Sequence, residues 1–474
     1  MSLTRKIAQH TIIQVLGRAL GLIAGVFVVG LLTRYLGQAG YGKYTTVIAF
    51  LQFFAIVADF GFYHITMQMI SEAGADEPKI ASNIFSLRFF FAFAILLMSC
   101  GISFLIPMYS LEIKLGICVA SVAIFFILLN QILVAIYQKY IAMTSVAVSE
   151  FITRFLNLGI IFGVVSLDFG FYAVLFSLVI ANGVNFLMNF INLQKLVKIN
   201  FRFDFSIWKI VFERSWPIGL SIIFSMLYFK MDTIILSIFR SSQEVGIYGA
   251  SYQLVEVLNS FPVLFVGLIM PILSEAWSRG DKEKFKHVLQ KAFDSILIIV
   301  VPLVFGGFIL ARKLMILIAG QEFAISGDVL RILIFAVGCL FIGQLFGYTI
   351  VAIKQQKKMM WRYLWVAILG LTAYLIFIPQ YSYYAAASIT IVTEFLIAIF
   401  SMAIVYRELG SKLKINILWR AILSAVVMSL VINYLSAWHV LILIPLGGLI
   451  YFATLYLFDG LKKADILEII NYKK

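Results

Sequence analysis

The chain has 474 residues, of which 62% are hydrophobic and 13% charged, and its mean hydropathy is +1.02. A soluble chain of this length cannot hide so much apolar surface, so water is not its main solvent. The formal net charge of +14 is explained by basic loops gathered on one side of a bilayer, and no nucleic-acid partner is needed.

About 20 apolar residues cross a hydrocarbon core. That ruler gives about fourteen spans, at 11–33, 44–70, 82–106, 114–137, 144–167, 170–193, 214–239, 246–273, 290–310, 328–352, 362–379, 382–406, 418–436 and 439–458. Apolar runs without period-2 alternation satisfy their backbone in lipid only as helices, so the predicted fold class is an all-α polytopic membrane protein.

The first span follows Arg5 and Lys6; it is too long for a signal h-region and has no A-x-A site. Arg18 lies within it, sharing a face with Gly21 and Gly25. That places Arg18 either at a close helix approach inside the bundle or snorkelling to the interface. Gly37–Tyr44 then forms an outer turn. In the second span Asp59 is read as an anchor for a turn at Gly61, with ion coupling as the alternative. In the third, Arg88 is about 9 Å from the cytoplasmic end and is expected to snorkel.

Arg154 of the fifth span is about 15 Å deep, with Glu150 at i−4 and Asn157 at i+3. It is either half of a self-neutralised pair or part of a wet cavity. The sixth span carries Asn182, Asn185, Asn189 and Asn192 on one stripe, which either lines a sugar-binding wall or locks helices together.

A polar joint at 194–213 reads as a cytoplasmic linker, with Phe201, Phe203 and Phe205 against the headgroups. Lys230 is the deepest cation, and with Asp232, Ser221, Ser225 and Tyr228 it marks a stripe facing a cavity. Glu256, near Tyr252 and Asn259, and Glu394, near Thr390 and Ser401, are candidates for coupling to Na+ or H+. Cys100, Cys118 and Cys339 all fall in apolar runs and read as packing residues.

Basic residues concentrate in 194–214, 279–291, 354–362, 407–420 and the tail, which predicts both termini in the cytoplasm. Gly42 and Tyr44 after the first span register with Gly246 and Tyr248 after the seventh at one common offset. Two six-helix repeats in the same orientation follow: an N-lobe at 1–193 and a C-lobe at 214–410, with 411–474 carrying two further spans and the tail.

Thr33-Arg34-Tyr35-Leu36-Gly37, Tyr41-Gly42-Lys43-Tyr44 and Asp59-Phe60-Gly61-Phe62 resemble the opening of the polysaccharide, O-antigen type flippase family. That family belongs to the multidrug/oligosaccharidyl-lipid/polysaccharide (MOP) exporter superfamily. Val245-Gly246-Ile247-Tyr248, Met270-Pro271, Ala319-Gly320-Gln321-Glu322-Phe323 and Ile378-Pro379-Gln380-Tyr381 are similar to it in order and spacing, over roughly residues 5–410. The resemblance implies a V-shaped pair of lobes, a central cavity, alternating access in the cytoplasmic membrane and a polyprenyl-pyrophosphate oligosaccharide as substrate. The polymerase and glycosyltransferases of the same pathway become candidate partners, alongside membrane lipids.

Under this reading Arg18, Arg88, Arg154 and Lys230 are the candidates for holding pyrophosphate, since guanidinium pairs bidentately with phosphate. Asp59, Asp232, Glu256 and Glu394 are the cavity acids, and Asn182, Asn185 and Asn189 face sugar. A MATE-like multidrug or cation antiporter is the alternative, although the intramembrane cations count against it. No P-loop, H-E-x-x-H or G-x-S-x-G motif and no metal set among the four histidines is present, so neither an enzyme nor a bound cofactor is expected.

Overall fold

The computed structural model describes the backbone of residues 3–72, 74 and 76–460, and the side chains within it other than those of 3–20, 22–23, 217–218 and 221–230. Arg18, Lys230, Ser221, Ser225, Tyr228 and the basic tail therefore lie outside the described residues. Helices in chain order are α1 Leu3–Asp59, α2 Phe62–Ile70, α3 Glu77–Leu105, α4 Leu111–Lys139, α5 Met143–Ser166 and α6 Gly170–Leu193. They continue as α7 Phe205–Phe239, α8 Ser242–Ser278, α9 Lys282–Ala319, α10 Ala324–Ala352, α11 Gln356–Leu409, α12 Asn416–Tyr434 and α13 Val440–Leu457.

No strand occurs among the described residues, and eleven helical stretches among them are long and apolar enough to cross a bilayer. Two of the eleven, at 47 and 54 residues, exceed one crossing. They break at Gly37 (φ 64°) and Ser382 (φ 55°), between the segments expected as spans one and two and as spans eleven and twelve. The chain is an all-α, multi-pass membrane protein.

Packing divides the chain into two compact units, 1–249 and 250–474. This boundary differs from the expected lobes at 1–193 and 214–410, because α7 packs on α1, α2 and α3 and so joins the first unit. The segment expected as a free linker is also docked on α3. Asn200, Arg202 and Asp204 donate their backbone N–H groups to Ser82 Oγ, Ser86 Oγ and Asn83 Oδ1 at 3.1, 2.9 and 2.7 Å. Alternate N–H groups of this non-helical segment thus find a polar helix face. Asp204 also caps α7 and meets Lys79 at 3.0 Å. That hydrogen bond holds its carboxyl below the usual range, with smaller help from the Ile207 and Ser206 N–H groups. Phe201, Phe203 and Phe205 are left exposed on the outside of this segment.

The registered glycines meet directly. A Cβ on Gly42 would fall on the Ser242 carbonyl and lie 2.8 Å from Gly246 N; one on Gly246 would fall on the Gln38 carbonyl and lie 3.0 Å from Gly42 N. Gly249 approaches Thr45 in the same register. Such reciprocity is what a two-fold relation between the two segments produces. Gly42→Ala and Gly246→Ala should each force these backbones apart, at a cost of about 1–3 kcal/mol. Thermal unfolding of the purified variants measures it, and an unchanged midpoint would show that the approach is dispensable.

In the second unit α10 packs between α9 and α11, while α12 and α13 lie on α9. Lys313 near the end of α9 donates to the Ser436 and Trp438 carbonyls in the turn between α12 and α13. Gln290 grips both the N–H and the C=O of Lys414, at 2.7 and 2.9 Å. The last two helices are thereby fixed to the unit at both ends of α9.

Candidate functional site

The second expected span, 44–70, does not run unbroken. Phe60 and Gly61 both take positive φ (45° and 80°), which ends α1 at Asp59 and starts α2 at Phe62. Glycine suits the second of these positions because it has no Cβ to clash. The break deprives Ala58 and Asp59 of normal i+4 partners for their carbonyls, which is costly in lipid.

Arg88 of α3 fills the gap. Its Nη1 donates to the Ala58 and Asp59 carbonyls at 2.6 and 2.8 Å, and its Nη2 to Asp59 Oδ1 and Gln131 Oε1 at 2.9 and 2.7 Å. Its Nε donates to the Leu128 carbonyl at 3.2 Å. All five N–H donors of the guanidinium are used, and the side chain is 0% exposed, with its charge 5.6 Å from the Phe62 ring. The snorkelling expected for Arg88 is therefore corrected: depth along its own helix did not reveal the partners created by a break in another. Asp59, just before the Gly61 turn, accepts from Arg88 through both its carbonyl and its carboxylate.

Beside this clamp lies a polar cavity of about 370 Å³ within the first unit. Tyr63 of α2 and Asn130, Gln131, Phe126 and Val134 of α4 form one side, and Glu150, Thr153 and Arg154 of α5 with Asn182 and Asn185 of α6 form the other. Arg154 lies across the bare backbone of Gly21: a Cβ there would come within 2.6 Å of its Nε and Nη1. Glu150 and Arg154 face the same space without forming an ion pair, so the self-neutralised pair is not what the structure contains. Thr153 Oγ1 and Asn157 Oδ1 are buried without a partner among the described residues.

The asparagine stripe ties helices together at one position and lines the cavity at two others. Asn189 is fully buried, donating to Asn130 and Asn185 Oδ1 at 2.9 and 2.8 Å and accepting from Ser149 Oγ at 2.8 Å, so it ties α6 to α4 and α5. Asn182 and Asn185 line the cavity. Adjacent Asn130 and Gln131, inside an expected span, were not singled out from sequence; two amides at bilayer depth were the available signal.

The remaining candidate acids are dispersed. Asp232 is buried, accepting from Tyr248 OH at 2.5 Å and from the Thr233 N–H and hydroxyl, which joins α7 to the start of α8. Glu394 is buried on α11 within electrostatic range of Tyr363 and Cys339, and Glu256 is half-buried on α8. No cluster of metal-ligating side chains occurs among the described residues.

The first unit thus holds, among all-helical membrane-spanning segments, a cavity whose lining carries Arg154, Glu150 and several amides. Residues 3–277 match the polysaccharide biosynthesis protein family, more than half of the chain, and residues 217–375 match the MatE family. The chain belongs to the polysaccharide biosynthesis protein family. It is 23% identical over 339 residues to a probable low-salt glycan biosynthesis flippase, Agl15, of Haloferax volcanii, covering 70% of this chain and 68% of that one. A putative O-antigen transporter of Shigella flexneri is 23% identical over 343 residues, covering 69% and 80%. Among solved structures, a lipid II flippase MurJ in an inward closed conformation shares the fold, with a TM-score of 0.79 at 17% identity over 94% of this chain and 98% of that one. An inward-facing MATE multidrug transporter of the MOP superfamily has a TM-score of 0.68 at 13% identity, over 84% and 98%.

Proposed function

We propose that the chain is a flippase that carries a polyprenyl-pyrophosphate-linked oligosaccharide, a repeat unit of a cell-surface polysaccharide, across the cytoplasmic membrane by alternating access. The observation that carries this reading is a guanidinium, Arg154, with no partner among the described residues, in an amide-lined cavity inside a membrane-spanning unit. A cation at that depth is costly unless water or an anionic ligand compensates it, and amide side chains suit sugar hydroxyls. The names of the relatives support the same cargo class.

Arg154 holds the pyrophosphate, with Arg18 and Lys230 as its proposed companions. Asn182 and Asn185 meet the sugars, while Asn189 sets their positions. Arg88 contributes from behind the cavity wall, since its donors are all committed. Coupling to Na+ or H+ is assigned to Glu256 or Glu394, and both termini are placed in the cytoplasm. Catalysis is no part of this reading; the polymerase and glycosyltransferases of the pathway are its proposed partners.

The test is reconstitution into liposomes loaded with a fluorescent polyprenyl-pyrophosphate oligosaccharide. Protein should speed the loss of leaflet asymmetry at least about tenfold over empty vesicles, a barrier change of about 1.4 kcal/mol. No acceleration, together with uptake of cationic drugs by the same vesicles, would move the assignment to a MATE-like antiporter.

A further inference from the structure

Two amides in the cavity have orientations that their neighbours compel. Arg88 has only donors to offer, so Gln131 must turn Oε1 toward it; its Nε2 has no protein partner among the described residues and faces the cavity. The Leu178 carbonyl can only accept, so Asn182 must turn Nδ2 to it, at 2.8 Å, leaving Oδ1 toward the cavity. Flipping Gln131 would set its NH2 against a buried guanidinium. The cavity thus displays a fixed donor at Gln131 and a fixed acceptor at Asn182, beside the Asn130 and Asn185 amides whose Oδ1 atoms Asn189 already engages.

We propose that this pair reads an acylamino group on the sugar of the lipid-linked glycan: Gln131 Nε2 donates to its carbonyl oxygen and Asn182 Oδ1 accepts from its N–H. The inference rests on the flippase reading above. A secondary amide offers one C=O and one N–H, the complement of what the two side chains present. A sugar hydroxyl can satisfy either residue but gives no discrimination. A sugar carboxylate has no N–H to give Asn182 and would set its lone pairs against Asn182 Oδ1. Tyr63 and Phe126, also in the lining, supply apolar surface for the acyl methyl.

The experiment measures binding by the full chain in lipid nanodiscs of three probes: polyprenyl pyrophosphate carrying N-acetylglucosamine, carrying glucose, or carrying no sugar. The wild type should bind the first about tenfold more tightly than the second. Gln131→Glu keeps an oxygen for Arg88 but removes the donor, and Asn182→Leu removes the acceptor; each should bring that ratio close to one while thermal unfolding stays near wild type. The proposal is overturned if the wild type shows no preference, if both variants keep it, or if the variants weaken all three probes equally, which would mean a charge effect felt at the pyrophosphate. If the wild type binds none of the three, the lipid-linked glycan reading falls as well.

Discussion

Arg88→Leu is expected to remove most of the protein from the membrane, at a cost of roughly 3–5 kcal/mol. The substitution would leave the Asp59 carboxylate, the Ala58, Asp59 and Leu128 carbonyls and Gln131 Oε1 facing an apolar side chain, five acceptors that one guanidinium now serves. Removing one partner of a buried charge pair is far more damaging than the pair's net contribution, because the remaining charge cannot reach water. Arg88→Lys keeps a cation for Asp59 but has no planar fork to span both carbonyls and Gln131, so an intermediate loss is expected. Membrane abundance and unfolding midpoint in detergent are the quantities to compare. Transport per molecule of surviving protein should change less than abundance. A leucine variant that is as abundant and as heat-resistant as wild type would show that the break at Phe60 and Gly61 needs no clamp.

The outline of this fold was legible because lipid leaves the backbone few options. The length of apolar runs and the punctuation at Gly37 and Pro379-Gln380 located where long helices turn back. Part of the cavity was equally legible: Glu150, Arg154, Asn182 and Asn185 were recognisable as polar groups sharing helix faces at bilayer depth, and they line one space. Arg88 shows where such reasoning stops. Its position along α3 gives the cost of its charge, but its partners are carbonyls released by the break between α1 and α2 and an amide from α4, segments distant from it in sequence. Asn130 and Gln131 were as visible as the asparagine stripe; their meaning came only from which of their atoms are already bonded. The division at Gly249 was hidden for a similar reason, since a repeat in sequence marks equivalent segments and not which neighbours they pack against.

Arg154→Ala should have the opposite signature to Arg88→Leu, with glycan transport lost and the protein still present. Arg154 makes no ion pair or hydrogen bond with a described residue, so its removal orphans no buried partner, and stability should move by less than about 1 kcal/mol. If it holds an anionic oxygen of the cargo, truncation costs binding on the order of 2–5 kcal/mol, about 30-fold or more in affinity. Arg154→Lys should recover little, because a point charge cannot reproduce a bidentate contact with phosphate. Gly21 supplies a second test that leaves the charge in place. Its missing Cβ makes the bed on which the arginine lies, so Gly21→Ala must displace the Nε–Nη1 edge and should lower transport without lowering abundance. Gly25→Ala, four residues on, meets nothing within 4 Å and serves as the matched control. Transport normalised to membrane abundance should therefore fall in the order Gly25→Ala, Gly21→Ala, Arg154→Ala. Equal transport in all three would remove Arg154 from the cargo site, and a loss of abundance that tracks the loss of transport would make it a structural residue instead.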